Sequence, residues 1–248
     1  MIDGIKIAAY TALHYGREYL SWAIHSIIDD VDEYHVLYAP QGSHLTRTAE
    51  PCPESRAELY HLAQNAAGDK LRWTDGDWTQ EHQQRDTIYQ LTDAPIIVAL
   101  DADEVWYPGL LPAVIRVGLQ AKVSDARVPF WHYFRSLKKV IKHDPAYPVR
   151  VKFRNAPPGV TTFPIPPDCG EDFRIHHFGY AQSSSIVRYK LSIHYHQNEF
   201  VPGYFENIFM KNVQHGCHPC GQVEWNAEDC DVLEVLKWHP YAALEVVP

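Results

Sequence analysis

The residues best suited to chemistry are two carboxylates that directly follow an apolar segment. That segment, Pro95 to Leu100, is almost continuously aliphatic and runs straight into Asp101-Ala102-Asp103. Side chains i and i+2 of an extended chain point the same way, so Asp101 and Asp103 could face one ligand. Two close carboxylates repel unless a cation lies between them or one is protonated. The pattern predicts a Mg²⁺ or Mn²⁺ site completed by substrate phosphate oxygens; the simpler alternative is a solvated acidic turn.

The elements that would position these carboxylates alternate between strand and helix over the first 104 residues. Apolar runs predict strands at 5–10, 34–38, 71–74 and 95–100, and helical spacing predicts helices at 19–28, 54–67 and 80–91. Such alternation is typical of an open, doubly wound α/β sheet. Ligands of these sheets bind beyond the carboxyl ends of the strands, which is where Asp101 falls.

The second half of the sequence predicts further helices and the strands of a mixed sheet. We expect a helix at 108–122, strands at 127–134 and 149–153, a proline-rich loop at 157–167 and a helix at 186–196. Weaker helical patterns lie at 204–213 and 232–236.

The overall composition limits the possible function classes. With 248 residues, of which 46% are apolar, the chain can bury a sizeable core. A net charge of -9 argues against a general binder of nucleic acids or membrane surfaces, and no apolar run approaches the roughly 18 residues of a membrane span. Asp3 and Lys6 would interrupt a signal peptide, and five cysteines, an odd number, suit free thiols. We therefore expect a cytoplasmic location.

The acidic motif after the predicted central strand, the strand and helix at 5–28 and the helix around Arg85 together resemble the GT-A fold glycosyltransferases, in particular family 2-like enzymes. The resemblance covers residues 5–110 and, more loosely, 165–195. It implies a Rossmann-like α/β fold with a mixed, mostly parallel sheet flanked by helices. It also implies a glycosyltransferase domain at 1–196, with a nucleotide-sugar half at 1–104 and an acceptor half at 105–196, followed by a helical extension at 197–248.

The same resemblance implies a donor site for a nucleotide diphosphate sugar with a divalent cation, Mn²⁺ or Mg²⁺. Carried over, Asp103 is the direct metal ligand, Asp101 lies near the ribose or the metal's waters, and Arg85 lies near the sugar or diphosphate. The positions that would line the nucleotide sugar are Ala9, Tyr10, Thr11 and Ala102. The chain departs from the family at 39–43, where acidic residues are missing; Asp75 or Asp77 could replace the base-reading aspartate, or each could be a hydrated turn residue.

The expected catalytic base lies in the second half. The family pattern places a Glu-Asp pair after the metal motif, which makes Asp172 the first candidate and Glu171 the second, although a solvated loop is the alternative. A base is needed because an acceptor hydroxyl is a poor nucleophile until it loses its proton. By motif alignment His177 completes the metal site, against the alternative of a packed, hydrogen-bonded histidine. Inversion is expected because no enzyme nucleophile is evident.

A basic, aromatic segment at 127–154 is the expected acceptor side. It holds eight Lys or Arg against one Asp, a local charge of +7. Its candidate acceptor residues are Trp131, His132 and Phe134. Cations and aromatic faces could hold an anionic acceptor such as a phosphorylated glycan, a lipid-linked sugar or a hydroxymethylated nucleic-acid base. The alternative is a strand with solvated charges and an aromatic core.

Two further possibilities stay open. Cys217 and Cys220, flanked by histidines, could hold a structural zinc, although a single C-x-x-C without a second pair is a weak signal and reduced thiols are the alternative. The rival functions are a nucleotidyltransferase and a non-catalytic sugar- or nucleotide-binding module. A nucleotidyltransferase would need a glycine-rich basic loop after the first strand, where the chain offers just Gly16 and Arg17.

Overall fold

The molecule contains two β-sheets. The strand Ile96–Ala99 belongs to the larger sheet, and the next strand along the chain, Glu104–Trp106, belongs to the smaller one. The computed structural model describes residues 2, 4–42, 51–141, 148–156, 161–162, 174–193, 199–220 and 225–229. The elements in chain order are β1 (Ile7–Leu13), α1 (Leu20–Ile27), β2 (Glu33–Tyr38), α2 (Arg56–Ala67), β3 (Leu71–Asp75), α3 (Glu81–Asp86), α4 (Ile88–Leu91), β4 (Ile96–Ala99), β5 (Glu104–Trp106), α5 (Leu110–Ala121), β6 (Asp125–Arg127), β7 (Phe130–Phe134), β8 (Lys139–Ile141), β9 (Val149–Phe153), β10 (Thr161–Thr162), β11 (Ile175–Tyr180), α6 (Ser184–Ile193), a π-helical turn (Phe205–Phe209) and β12 (Glu228–Asp229).

Among the described residues, the larger sheet has seven strands in the order β10-β6-β9-β4-β1-β2-β3. Strands β4, β1, β2 and β3 are parallel, whereas β9 runs antiparallel to both β4 and β6. This confirms the predicted mixed, mostly parallel α/β sheet. Tyr10 pairs with Ala99, so the carboxyl ends of β1 and β4 lie together.

Both faces of the larger sheet are covered at its centre, which explains the near-continuous apolar runs of β1 and β4. One face carries the main core, in which Ile7 and Val98 pack with Ile24 of α1 and Ile115 of α5. The other face packs Tyr10 and Ile97 against Ile88 of α4. Each large aliphatic side chain buried in this way contributes about 1.5–3 kcal/mol of transfer free energy.

The smaller sheet has the strand order β12-β8-β7-β11-β5. Its strand β5 begins immediately after the acidic motif and runs antiparallel to β11, which places His177 opposite Glu104. Strand β11 is parallel to β7, and His177 pairs with His132. The backbone N–H of Phe178 donates to the carbonyl of Asp103 at 2.8 Å. The second sheet therefore brings the histidines of β7 and β11 to the acidic motif.

Several predicted elements need correction. The strand predicted at 127–134 is divided between the two sheets, since β6 ends at Arg127 and β7 begins at Phe130. The helix predicted at 80–91 is two short helices, α3 and α4, and the helical pattern at 204–213 is a π-helical turn. The pattern at 232–236 and most of the loop at 157–167 lie outside the described residues. Among the helices that the structure describes, none is both long and apolar enough to cross a membrane.

Candidate functional site

Asp101, just beyond β4, lies between two arginines. Arg85 of α3 donates from Nη2 to Oδ1 of Asp101 at 2.8 Å, and Arg150 of β9 donates from Nη2 to Oδ2 at 2.8 Å. Burial alone would raise the pKa of Asp101, but the two guanidinium groups outweigh it and hold that pKa far below its ordinary value. Both carboxylate oxygens thus have a cationic partner from the protein itself.

Arg150 also joins Asp101 to Glu104, a buried carboxyl at the start of β5. Its Nε donates to Oε2 of Glu104 at 2.9 Å, and its guanidinium carbon lies 5.1 Å from the centre of the Phe130 ring. Burial raises the pKa of Glu104 to about 8, although Arg150 acts in the opposite direction. The arginine therefore connects the end of β4, the start of β5 and strand β7.

Asp103 has a different environment, with one oxygen held by the protein and the other facing a histidine. Its Oδ2 accepts from Gln182 Nε2 at 2.9 Å and lies 3.5 Å from Lys190 Nζ of α6. Its Oδ1 lies 3.6 Å from His177 Nε2. Burial would raise the pKa of Asp103, but the net shift is downward, chiefly because of the Lys190 ammonium group. Asp103 is thus an anion with one oxygen turned towards an imidazole.

The His177 imidazole is fixed by its packing on the second sheet. Its ring stacks on Phe130 with 5.2 Å between the ring centres, and its Nδ1 lies 2.7 Å from Nδ1 of His132. Burial lowers the pKa of His177 to about 3, so its imidazole is neutral at pH 7. A carboxylate oxygen and a neutral imidazole nitrogen are donors that Mn²⁺ accepts in proteins.

The donor set fits a divalent cation that takes its other ligands from substrate and water. In the part of the chain that the structure describes, no group of three or more His, Cys, Asp or Glu side chains is arranged to hold a metal. A catalytic Mg²⁺ or Mn²⁺ is commonly held by one or two protein side chains with phosphate oxygens and waters. Asp103 and His177 fit that pattern, whereas both oxygens of Asp101 already accept a hydrogen bond from an arginine.

Because Gly179 has no side chain, the side chains of His177 and Lys190 can occupy the space beside it. A Cβ at residue 179 would lie 2.5 Å from Cε1 of His177 and 2.9 Å from Nζ of Lys190. We therefore expect Gly179→Ala to displace both side chains and weaken Mn²⁺ binding by about 10-fold or more, the scale typical of disturbed ligand support. A Cβ at Gly42 would meet only Ile193 at 3.4 Å, so Gly42→Ala is the matched control. Equal Mn²⁺ affinities of the two variants, measured by titration of free Mn²⁺, would contradict the expectation.

A cavity of about 280 Å³ adjoins Asp101, between α3, α4 and strands β1, β4 and β9. Its lining residues are Tyr10, His82, Arg85, Asp86, Tyr89, Ile97, Ala99, Val149, Arg150 and Lys152. Arg85 and Arg150 therefore contact both this cavity and Asp101. Of the positions predicted to bind the nucleotide sugar, Tyr10 and Arg85 line the cavity, and Asp101 contacts its lining residues Arg85 and Arg150.

Ala9 and Thr11 need correction because both are fully buried. Ala9 belongs to the main core, and Thr11 Oγ1 donates to the carbonyl of Leu100 at 2.7 Å and contacts the Tyr34 hydroxyl. Strand β1 continues to Leu13, so the loop that follows it begins at His14. His14 Nε2 lies 2.7 Å from the Tyr189 hydroxyl of α6, next to Lys190. The mostly apolar sequence from Ile7 to Leu13 was the signal that could have placed the end of β1 at Leu13 and the start of the loop at His14.

Asp75 lies at the end of edge strand β3, away from the cluster around Asp103 along the sheet. Its two oxygens accept from Arg56, Oδ1 from Nε at 2.5 Å and Oδ2 from Nη2 at 2.7 Å. Both side chains are about half exposed. The structure thus pairs Asp75 with Arg56 and does not bring it to Arg85 or Asp101. Ala102 is nearly buried and packs its Cβ towards Gly16.

Of the three predicted acceptor residues, two are buried in aromatic clusters and one contacts His177. Trp131 and Phe134 are buried in the two aromatic clusters of the second sheet, so for them the aromatic-core alternative is correct. His132 instead contacts His177. The candidate bases Glu171 and Asp172 lie outside the described residues.

The structure does not support zinc at Cys217 and Cys220. Cys217 is fully buried, its Sγ donates to the carbonyl of Trp225 at 3.3 Å, and burial raises its pKa to about 11. Among the residues that the structure describes, the two cysteines belong to no group of three or more His, Cys, Asp or Glu side chains that could hold a metal. Cys230 lies outside the described residues. Cys217 acts as a small apolar residue in the cluster that packs Phe209 against Phe134.

Comparison with known proteins gives structural similarity alone. No protein-family model matches the chain, and no curated protein matches it. Solved structures similar to it include glucosyl-3-phosphoglycerate synthase from Mycobacterium tuberculosis in complex with Mg²⁺ and uridine diphosphate, at 15% identity and a TM-score of 0.40. The match covers 51% of this chain and 44% of that one. The same enzyme with Mn²⁺, uridine diphosphate and phosphoglyceric acid matches at 16% identity, 51% and 44% coverage and a TM-score of 0.37. The chain thus spans less than half of the length of these proteins.

Proposed function

We propose that this protein is a metal-dependent glycosyltransferase of the GT-A type that moves a sugar from a nucleotide diphosphate sugar to an acceptor hydroxyl. The observation that carries the proposal is the arrangement at the carboxyl end of β4. There Asp103 Oδ1 faces His177 Nε2 at 3.6 Å, and Lys190 Nζ lies 3.5 Å from the other carboxylate oxygen. A carboxylate, a neutral imidazole and a lysine at the ligand edge of an α/β sheet suit a diphosphate and its cation.

In this proposal the two aspartates of the motif have different tasks. Asp103 and His177 hold Mn²⁺ or Mg²⁺, which when bound neutralises the negative charge of the departing diphosphate. Lys190 places a second positive charge beside the same point, where it stabilises the leaving group. Asp101 holds Arg85 and Arg150 in place, and these two arginines form the wall of the adjoining cavity.

The acceptor is proposed to be anionic, and Asp172 is proposed as the base, with Glu171 as the second candidate. Support for an anionic acceptor comes from the basic segment at 127–154, which supplies Arg150 and Lys152 to the cavity beside Asp101. The base removes the proton of the acceptor hydroxyl as it attacks the anomeric carbon, with inversion at that carbon.

Thermal unfolding in the presence of nucleotide sugars tests the proposal. A panel of uridine, guanosine, adenosine and cytidine diphosphate sugars is added with Mn²⁺ or with a chelator. We expect one nucleotide class to raise the melting temperature only with Mn²⁺, because a ligand present at a hundredfold excess over its Kd adds about 2.7 kcal/mol of stability. Equal stabilisation in the chelator would contradict the metal-bridged donor site.

Hydrolysis of the donor separates an enzyme from a non-catalytic binding module. Incubated with the stabilising donor and Mn²⁺, the protein is expected to release the free nucleotide slowly, because water replaces the absent acceptor. Chromatography of the nucleotides measures this release. Metal-dependent binding with no turnover, with or without phosphorylated acceptors, would favour the binding module instead.

A further inference from the structure

The imidazoles of His132 and His177 approach one another through their Nδ1 atoms. They occupy paired positions on the parallel strands β7 and β11, and their Nδ1 atoms lie 2.7 Å apart. At that distance two ring nitrogens form a hydrogen bond, which requires one of them to carry the proton and the other to accept it. The ring planes are nearly perpendicular, at 86°.

The position of this proton decides what His177 presents to Asp103. A neutral imidazole has one N–H and one lone pair. If Nδ1 of His177 carries the proton and donates to His132, then Nε2 of His177 presents a lone pair 3.6 Å from Asp103 Oδ1. If His132 is the donor instead, Nε2 of His177 carries a hydrogen and cannot bind a cation. The first arrangement places a lone pair of His177 Nε2 beside a lone pair of Asp103 Oδ1, which is favourable when a cation lies between the two atoms.

The packing around both rings keeps this geometry in place. His132 is 7% exposed and contacts the rings of Phe130 and Trp225, with ring centres 5.4 and 5.0 Å away. His177 stacks on Phe130 and lies against Gly179, which has no side chain to displace it. The rings therefore cannot turn away from one another without disturbing β7 and β11.

We propose that His132 is a positioning residue that accepts the Nδ1–H of His177 and so keeps Nε2 of His177 free to bind a divalent cation beside Asp103. The proposal rests on the function proposed above and assigns His132 a role behind the metal rather than on the acceptor side. Partners of this kind fix the tautomer of a metal-binding histidine, and their loss typically weakens metal affinity by about 10–100-fold.

Two substitutions of His132 differ in whether the new side chain can accept a hydrogen bond from His177. In His132→Asn the amide Oδ1 takes the place of Nδ1 and can accept the same hydrogen bond, whereas His132→Leu offers no acceptor. We expect His132→Leu to raise the Kd for Mn²⁺ by about 10–100-fold and His132→Asn to restore most of the affinity. Titration of free Mn²⁺ by electron paramagnetic resonance measures the Kd, and the surface variant His61→Leu is the control.

A second readout reports the tautomer itself. Long-range ¹H–¹⁵N spectra of histidine-labelled protein with diamagnetic Mg²⁺ show which ring nitrogen is protonated, and the His177→Gln variant identifies the His177 signals. We expect protonated Nδ1 and bare Nε2 for His177 in the wild type and in His132→Asn. A protonated Nε2 in the Mg²⁺ complex of the wild type would overturn the proposal, even if His132→Leu failed to fold.

The outcomes separate this proposal from the function on which it rests. A wild type that binds Mn²⁺ no more tightly than His177→Gln would overturn the metal site and with it the role of His132. A wild type that binds Mn²⁺ through His177, with an unchanged Kd in His132→Leu, would overturn only the role of His132.

Discussion

Replacing Asp103 with Asn is expected to abolish tight Mn²⁺ binding and leave the fold intact. The amide keeps the shape of the side chain and can still accept from Gln182 Nε2, but it removes the charge that faces His177. The loss of a direct metal ligand should weaken Mn²⁺ binding more than the loss of a residue that only supports a ligand. We therefore expect Mn²⁺ affinity to fall by about 100-fold or more. Sugar transfer should fall by about 10³-fold, the effect of several kcal/mol of lost transition-state stabilisation.

Mn²⁺ titration and donor turnover at saturating Mn²⁺ measure this effect, with the melting temperature as the check on folding. Asp93→Asn is the control, because Asp93 is an exposed aspartate whose partner is Lys6. If Asp103→Asn bound Mn²⁺ as tightly as Asp93→Asn, the assignment of Asp103 as a ligand would be wrong.

Replacing Asp101 with Asn is expected to lower the free energy of unfolding by about 3 kcal/mol, the low end of the cost of breaking a buried ion pair. We expect a value at the low end because the ion pair is only partly buried. The Asp101 side chain is 25% exposed and the Arg150 side chain is 10% exposed. The substitution leaves Arg85 and Arg150 facing one another without the anion between them. Urea denaturation of the metal-free protein measures the loss.

Asp75→Asn is the matched control for that measurement. Asp75 also accepts two hydrogen bonds from an arginine, but it and Arg56 are each about half exposed. Exposed ion pairs contribute little, so we expect Asp75→Asn to cost less than about 1 kcal/mol. Equal losses in the two variants would show that Asp101 is not the anion that holds the two arginines together.

These expectations give the two aspartates of one motif separate roles. Both lie just after β4, yet one contacts arginines from α3 and β9 and the other contacts residues of β11 and α6. Asp101→Asn should therefore reduce stability more than Mn²⁺ affinity, and Asp103→Asn should do the reverse.

The architecture of the first half was predictable because its signals are local. Strands β1 and β4 are short apolar runs, β2 and β3 are more polar, and each of the four is followed by a helix or a loop with turn residues. Parallel order then places the end of β4 at the ligand edge, which is why the sequence could place Asp101 and Asp103 at that edge. The error at Ala9 and Thr11 came from a strand boundary, since β1 continues to Leu13.

Arg85 and His177 were expected near these aspartates, but the contacts of Arg150 and His132 were not predictable, because they depend on pairings between distant segments. Arg150 reaches Asp101 only because β9 inserts antiparallel beside β4, and His132 reaches His177 only because β7 and β11 pair in parallel. Trp131 and Phe134 gave the same pattern as an exposed aromatic platform, but the second sheet is covered on both faces and buries them.

Calorimetric titration of a nucleoside diphosphate tests the central claim most directly. Wild type and Asp103→Asn are each titrated with the diphosphate of the stabilising nucleotide class, once with Mn²⁺ and once with a chelator. Binding is expected only in the wild type with Mn²⁺, because in the proposed site Asp103 and His177 would hold the cation that the diphosphate needs. Binding that is independent of Mn²⁺ and unchanged in Asp103→Asn would contradict the account.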